Sequence, residues 1–190
     1  ANAYTQSFIR YDGKDDPKFS VWKFAAYYLG KKVQFEWLTK WGSILGLSVF
    51  EDHMPVPIYI PETDKLSLQE FGKGTILLDK TLDNPSSGSV SRSRFTLMHE
   101  CAHHILHRDY FHQLKQEGRG CGVAYSLQKK DDIQEETIQP QKEWTELDWL
   151  EWQANYLAGA LLMPSHRVRN LLEDSVLLPE YRDSVRAKQS

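Results

Sequence analysis

The sequence predicts an α+β fold, with a small antiparallel or mixed sheet beside a helix that carries His-Glu-x-x-His and additional helices packed around them. Three observations lead to it. Between residues 55 and 82, two short apolar runs alternate or are rich in β-branched residues. From Ser91 or Ser93 to about His107 the chain becomes compatible with a helix and contains His99-Glu100-Cys101-Ala102-His103. From Trp149 to Met163, apolar residues return at spacings of three and four until Pro164.

With 190 residues, 41% of them hydrophobic, the chain can bury one sizeable core, so one domain is expected over 19–190. Residues 1–18, with Asp12, Gly13, Asp15, Asp16 and Pro17, are expected to form a flexible N-terminal arm. A net charge of −3 and a pI near 6.2 give no basic footprint, so direct nucleic-acid binding is not expected. No apolar run approaches the roughly 18 residues of a membrane span, and no secretory leader pattern opens the sequence. The two cysteines, Cys101 and Cys121, are too few for a disulfide framework and are read as reduced thiols. A cytoplasmic location is the expectation.

Taken in order, Phe19 to Leu29 predicts an amphipathic helix on Phe19, Trp22, Ala26 and Leu29, broadened by Val21, Phe24, Ala25 and Tyr28, with Gly30 as its stop. Residues 33 to 50 hold an aromatic and aliphatic stripe that fits a second helix or a helix followed by a strand. Val56 to Pro61 alternates and reads as a strand, with prolines that suit an edge or a strand end. After turns at Glu62–Lys65 and at Gly72 and Gly74, Thr75 to Asp79 reads as another strand; strands followed by the motif helix resemble metallopeptidases whose edge strand pairs with extended substrate, and 75–79 is taken as that edge. Residues 83 to 93 read as a loop running into the motif helix. Arg108 to Glu143 is charged and glutamine-rich and reads as an inserted polar loop at about 108–143, either solvated or acting as a recognition lid. Ser165 to Ser190 contains a short amphipathic segment that would close the core.

The chemistry concentrates in the two helices. Residues four apart share a helix face, so His99 and His103 can point imidazole nitrogens at one metal ion, and Glu100 lies about 100° round the helix as candidate base. Catalytic zinc usually takes three protein ligands. Glu151, beside the apolar stripe of the second helix, is the candidate third, because a carboxylate there needs a partner. Asn155, one turn on, can hydrogen-bond beside it. His103 and His107 form a rival pair four apart, but His104 then stands where the base would be, so His104 and His107 are read as surface groups or as hydrogen-bonding neighbours of the ligands. Cys101 is read as a packing residue and Cys121 as a loop thiol. Tyr110, His112, Tyr125, His166 and Arg167 all remain candidates for an oxyanion donor.

Arg94 to His103, Glu151-Trp152-Gln153-Ala154-Asn155 and Leu161-Leu162-Met163-Pro164 together resemble the ImmA/IrrE family of bacterial and phage zinc metallopeptidases, over about residues 75–107 and 144–165. The resemblance implies a zincin-like arrangement in which zinc is held by His99, His103 and Glu151, with Glu100 as general base of peptide hydrolysis. It further implies a protein substrate, a helix-turn-helix transcriptional repressor of a mobile element or stress response. A zinc-stabilised module that sequesters a regulator or antitoxin without catalysis is the alternative. One departure is the 48-position spacing between His103 and Glu151, which accommodates the polar insert.

Overall fold

The computed structural model describes residues 20–84, 87–118, 123–127, 144–165 and 168–169. The N-terminal arm, the Cys121 loop, His166, Arg167 and the tail beyond Arg169 lie outside the described residues. Among the described residues, six strands and four helices, with a short 3₁₀ turn at Lys80–Asp83, make an α+β fold. In chain order these are α1 (Val21–Tyr28), β1 (Lys32–Glu36), β2 (Ile44–Val49), β3 (Met54–Ile60), β4 (Lys65–Phe71), β5 (Thr75–Asp79), α2 (Ser87–Leu106), α3 (Arg108–Gln116), β6 (Val123–Leu127) and α4 (Glu146–Leu162).

The main sheet has the order β1-β5-β2-β6, with β1 and β5 parallel and the other pairs antiparallel. β3 and β4 form a separate antiparallel hairpin. Alternation sorts the strand side chains between two layers. On β5, Ile76 and Leu78 join Leu97, Met98, Cys101, Ala154, Ala158 and Leu161 of α2 and α4, whereas Leu77 faces Val56, Ile58 and Phe71 of the hairpin. The sheet is thus covered on one face by helices and on the other by the hairpin, which accounts for β5 being buried at all five positions.

Several expectations change at this level. Residues 75–79 do form a strand, but it is interior, because β1 and β2 pair on either side of it. Among the described residues the open edges are β1 and β6. Residues 33–50 contain two strands and no helix. In β2, Ile44, Leu47 and Val49 pack toward the hairpin and Leu45 toward the helices, giving a doubly covered strand whose continuous apolar run imitates a helix stripe. Lys65–Phe71, apart from the expected turn, is a strand. The inserted segment is not all loop, since it begins with α3 and contains β6, which pairs with β2.

The first helix buries Val21, Phe24 and Ala25, with Tyr28 half-buried, and leaves Trp22 and Ala26 outward. Both stripes fit helical spacing, so periodicity alone does not choose the face. Its second half is π-helical, with the Leu29 N–H bonding to Phe24 O, and Gly30 at φ 62° ends it in the left-handed conformation that glycine tolerates. α4 starts at a capping box in which Thr145 Oγ1 accepts from the Asp148 N–H and Asp148 Oδ2 accepts from the Thr145 N–H. That cap fixes the start of the helix five residues before Glu151. Buried Asp79 accepts from the Leu38 N–H and from the Thr81 N–H and hydroxyl, tying the β1–β2 connection to the end of β5.

Candidate metal centre

α2 and α4 pack through Leu97, Ala102, Ala154, Ala158 and Leu161, and the small alanines let the two helices approach closely. At this contact the structure brings together His99, His103 and Glu151. Nε2 of His99 and Nε2 of His103 are 3.0 Å apart. Glu151 Oε2 lies 3.2 Å from the first and Oε1 3.3 Å from the second. Zinc bonds to such ligands are about 2.0–2.1 Å, and a tetrahedron with bonds of that length separates its ligand atoms by about 3.3–3.4 Å. Two imidazoles and a carboxylate are also the donor set that zinc takes, so both spacing and chemistry fit zinc.

Hydrogen bonds orient the two histidines of this group. His99 Nδ1 is 2.9 Å from Asn155 Oδ1, so Asn155 meets His99, where the sequence reading set it beside Glu151. His103 Nδ1 is 2.9 Å from Nδ1 of His107, whose Nε2 is 3.0 Å from Gln153 Oε1. His107 is therefore a buried neighbour of one ligand, and the His103–His107 pair is joined through the nitrogens that do not face Glu151. His104 is buried as well, its ring tilted against Phe50 with centroids 4.8 Å apart, and is no surface group. Cys101 packs in the core as expected, and burial pushes its thiol pKa up, which keeps it protonated and unreactive.

Burial holds His103 at about 4, despite its hydrogen bond to Glu151, so its imidazole is neutral and able to act as a ligand. For Glu151 burial acts upward, but hydrogen bonds from His103 and His99 outweigh it and bring the carboxyl to about 2. A neutral imidazole and an ionised carboxylate are the protonation states a metal requires.

Glu100 sits behind this group, fully buried against β2. Ser48 Oγ donates to Glu100 Oε2 at 2.7 Å, and Oε1 has no hydrogen-bond partner. A register shift between Ile44 and Gly46 places Gly46 opposite the carboxylate, where a Cβ would stand 2.4 Å from Oε1. Gly46→Ala is accordingly expected to push Glu100 out of its seat while leaving His99, His103 and Glu151 in place. Zinc content by elemental analysis should match the wild type, and any activity that needs Glu100 should fall at least about tenfold.

Burial raises the Glu100 pKa to about 7, opposed in part by His99 and the Ser48 hydrogen bond. In metal-free protein, a folded pKa above the ordinary 4.5 means a contribution to stability that is complete below pH 4.5 and is lost as pH rises through 7. The difference corresponds to at most about 3 kcal/mol, at 1.36 kcal/mol per pH unit. Glu100→Gln, measured by urea unfolding with chelator present, should therefore gain stability over the wild type from pH 5 to pH 8. Equal pH profiles for the two proteins would contradict this environment for Glu100.

Ser48, Gly46 and Gln153 are the site residues to which sequence reasoning gave no role, whereas His107, read as a surface group or a hydrogen-bonding neighbour, is buried beside His103. The signal available for the first two was a glycine and a serine two positions apart inside an apolar run. Of the oxyanion candidates, Tyr110 donates to Glu146 Oε2, and His112 is held by Glu51 and Gln116. Neither is hydrogen-bonded to the three-residue group. Tyr125 lies on β6, and its side chain, with His166 and Arg167, is outside the described residues.

Fold and site together define the class as an α+β protein with a His-His-Glu group, its histidines buried and Glu151 half-exposed, suited to a metal ion. No family model matches the chain, and neither a curated protein nor a solved structure matches it. Among the described residues no helix is long and apolar enough to cross a membrane.

Proposed function

We propose that this chain is a zinc-dependent endopeptidase of the ImmA/IrrE type, acting in the cytoplasm on a protein substrate, a helix-turn-helix transcriptional repressor of a mobile element or stress response. The observation that carries the reading is the convergence of two histidine Nε2 atoms and the Glu151 carboxylate within 3.0–3.3 Å, with the Glu100 carboxylate buried behind them. His99, His103 and Glu151 would hold zinc, which when bound supplies a Lewis acid and a nucleophile active near neutral pH. Glu100 is the general base. Ser48 fixes its Oε2, and the unpartnered Oε1 is the atom left to take a proton and return it to the leaving amine. A pKa near 7 suits a group that must do both at neutral pH.

Extended substrate would join an open sheet edge. β6 suits that role better than β5, because it is a terminal strand and touches the motif helix. The alternative is a zinc-stabilised, non-catalytic module that sequesters a regulator or antitoxin. Incubation with a repressor encoded beside the gene, followed by intact mass, separates the two. Zinc-dependent appearance of two fragments, abolished by chelator, supports the peptidase. Relief of repression with the repressor intact supports the binding module.

A further inference from the structure

α4 is apolar on two opposite faces. One, made of Ala154, Leu157, Ala158 and Leu161, is packed into the core. Trp149, Trp152, Tyr156 and Met163 recur at spacings of three, four and seven. At 100° per residue they fall within about 40° of the direction opposite Ala154. All four are exposed, by 46–68%. With Trp144 their rings run in a chain, Trp144 to Trp149 to Trp152 to Tyr156, with successive centroids 4.6, 5.9 and 5.4 Å apart. A helix that is apolar on both sides is normally covered on both. At about 200 Å² for a whole side chain of this size, the five leave on the order of 600 Å² of apolar surface. That equals the largest patch of a typical monomer, about 300–600 Å².

The stripe is bulky at one end and hollow at the other. Beyond Tyr156 it passes over Gly159 and Ala160, and a Cβ added to Gly159 would meet nothing within 4 Å. Trp152 and Gly159 are seven positions apart, two turns less about 20°, so they lie along one edge of the stripe. Their midpoint falls within a residue of Tyr156, and Tyr156 is itself the midpoint of Trp149 and Met163. A surface with bulk and hollow at equal distances from one point fits its own copy turned end over end about that point. Charge favours the same arrangement. α4 begins with Glu146 and Asp148 and holds no basic side chain, and Arg169 follows its far end. An antiparallel pair keeps the acidic ends apart, whereas a parallel pair sets like charges together.

We propose that this face binds a second copy of the chain, α4 against α4 and antiparallel about a two-fold axis at Tyr156. Trp152 of each copy then sits on Gly159 of the other, and Trp149 on Met163. Two such patches with their polar rims reach the roughly 1,200 Å² at which stable protein interfaces begin. Glu151 lies about 120° round α4 from the centre of the stripe, so the pairing leaves the His-His-Glu group uncovered. The pairing does not depend on the zinc reading.

Sedimentation velocity of the full chain, from about 1 to 100 μM, is the test. The wild type should sediment as a dimer at the upper end of that range. Trp152→Ala sets hollow on hollow and Gly159→Trp sets bulk on bulk, and each should weaken the dimer at least about tenfold. The double variant Trp152→Ala/Gly159→Trp exchanges bulk and hollow and should dimerise more tightly than either single variant. Tyr156→Arg, which brings two arginines together at the axis, should be monomeric with wild-type helicity by circular dichroism. A wild type that stays monomeric at the highest concentration overturns the proposal and leaves the face to another segment of the chain or to another protein. A dimer that Trp152→Ala and Tyr156→Arg leave unchanged, or a double variant no tighter than the single ones, overturns it as well.

Discussion

Glu100→Gln is expected to retain zinc and lose peptide cleavage by about a hundred- to ten-thousandfold, the range that general acid–base groups contribute. The substitution keeps the shape of a fully buried side chain and keeps an acceptor for the Ser48 hydroxyl. The amide cannot take a proton at the pH where a carboxyl near 7 exchanges one readily. Single-turnover cleavage followed by intact mass, with zinc content measured on the same samples, checks both halves. A variant that cuts at the wild-type rate would remove Glu100 from the chemistry, whereas relief of repression by both proteins with the repressor intact would favour the sequestering module.

The second large effect is expected at Glu151. Glu151→Ala leaves the two imidazole Nε2 atoms 3.0 Å apart with no carboxylate facing them. Zinc sites of four protein ligands bind with about 10–16 kcal/mol, so one ligand is worth about 3 kcal/mol, or roughly a hundredfold in affinity. Chelator competition should show that loss, while Ala154, Leu157, Ala158 and Leu161 keep the helix docked. Glu151→Gln separates charge from contact, since it retains an oxygen ligand without the negative charge and should lie between the two. Wild-type affinity in Glu151→Ala would mean that the third ligand lies elsewhere.

The legible parts of the fold were those with one buried face or a strong local signal. α4 was readable because Ala154, Leu157, Ala158 and Leu161 recur at helical spacing before Pro164, and the motif helix because His99 and His103 make sense together only one turn apart. β2 was not, because its side chains are covered from both sides and the resulting apolar run has no period of its own. Lys32–Glu36 does alternate, but the neighbouring Trp37, Leu38 and Trp41 extend its apolar residues into a pattern that also fits a helix. α3 was hidden by its charge and glutamine content and β6 by being five residues within a polar segment, and the pairing of β6 with β2 joins residues some 75 positions apart in register, such as Ser48 and Ala124.

The site divides along the same line. The residues that could hold a metal sit in two compact motifs, and helix geometry alone puts each set on one face. The groups that orient them do not. Ser48 reaches Glu100 across 52 positions and His107 reaches Gln153 across 46, contacts that exist only once the sheet and both helices are assembled. Gly46 owes its place opposite Glu100 to a register shift in the ladder, which no residue spacing announces.

Zinc-edge X-ray absorption on the purified protein tests the metal centre most directly. The geometry predicts about one zinc per chain, with two imidazole nitrogens and a carboxylate oxygen at about 2.0–2.1 Å and no sulfur in the coordination shell. In Glu151→Ala the oxygen contribution from the protein should disappear or the metal should be lost altogether. A wild type that holds no zinc, or a shell containing sulfur at about 2.3 Å, would contradict a centre built from His99, His103 and Glu151.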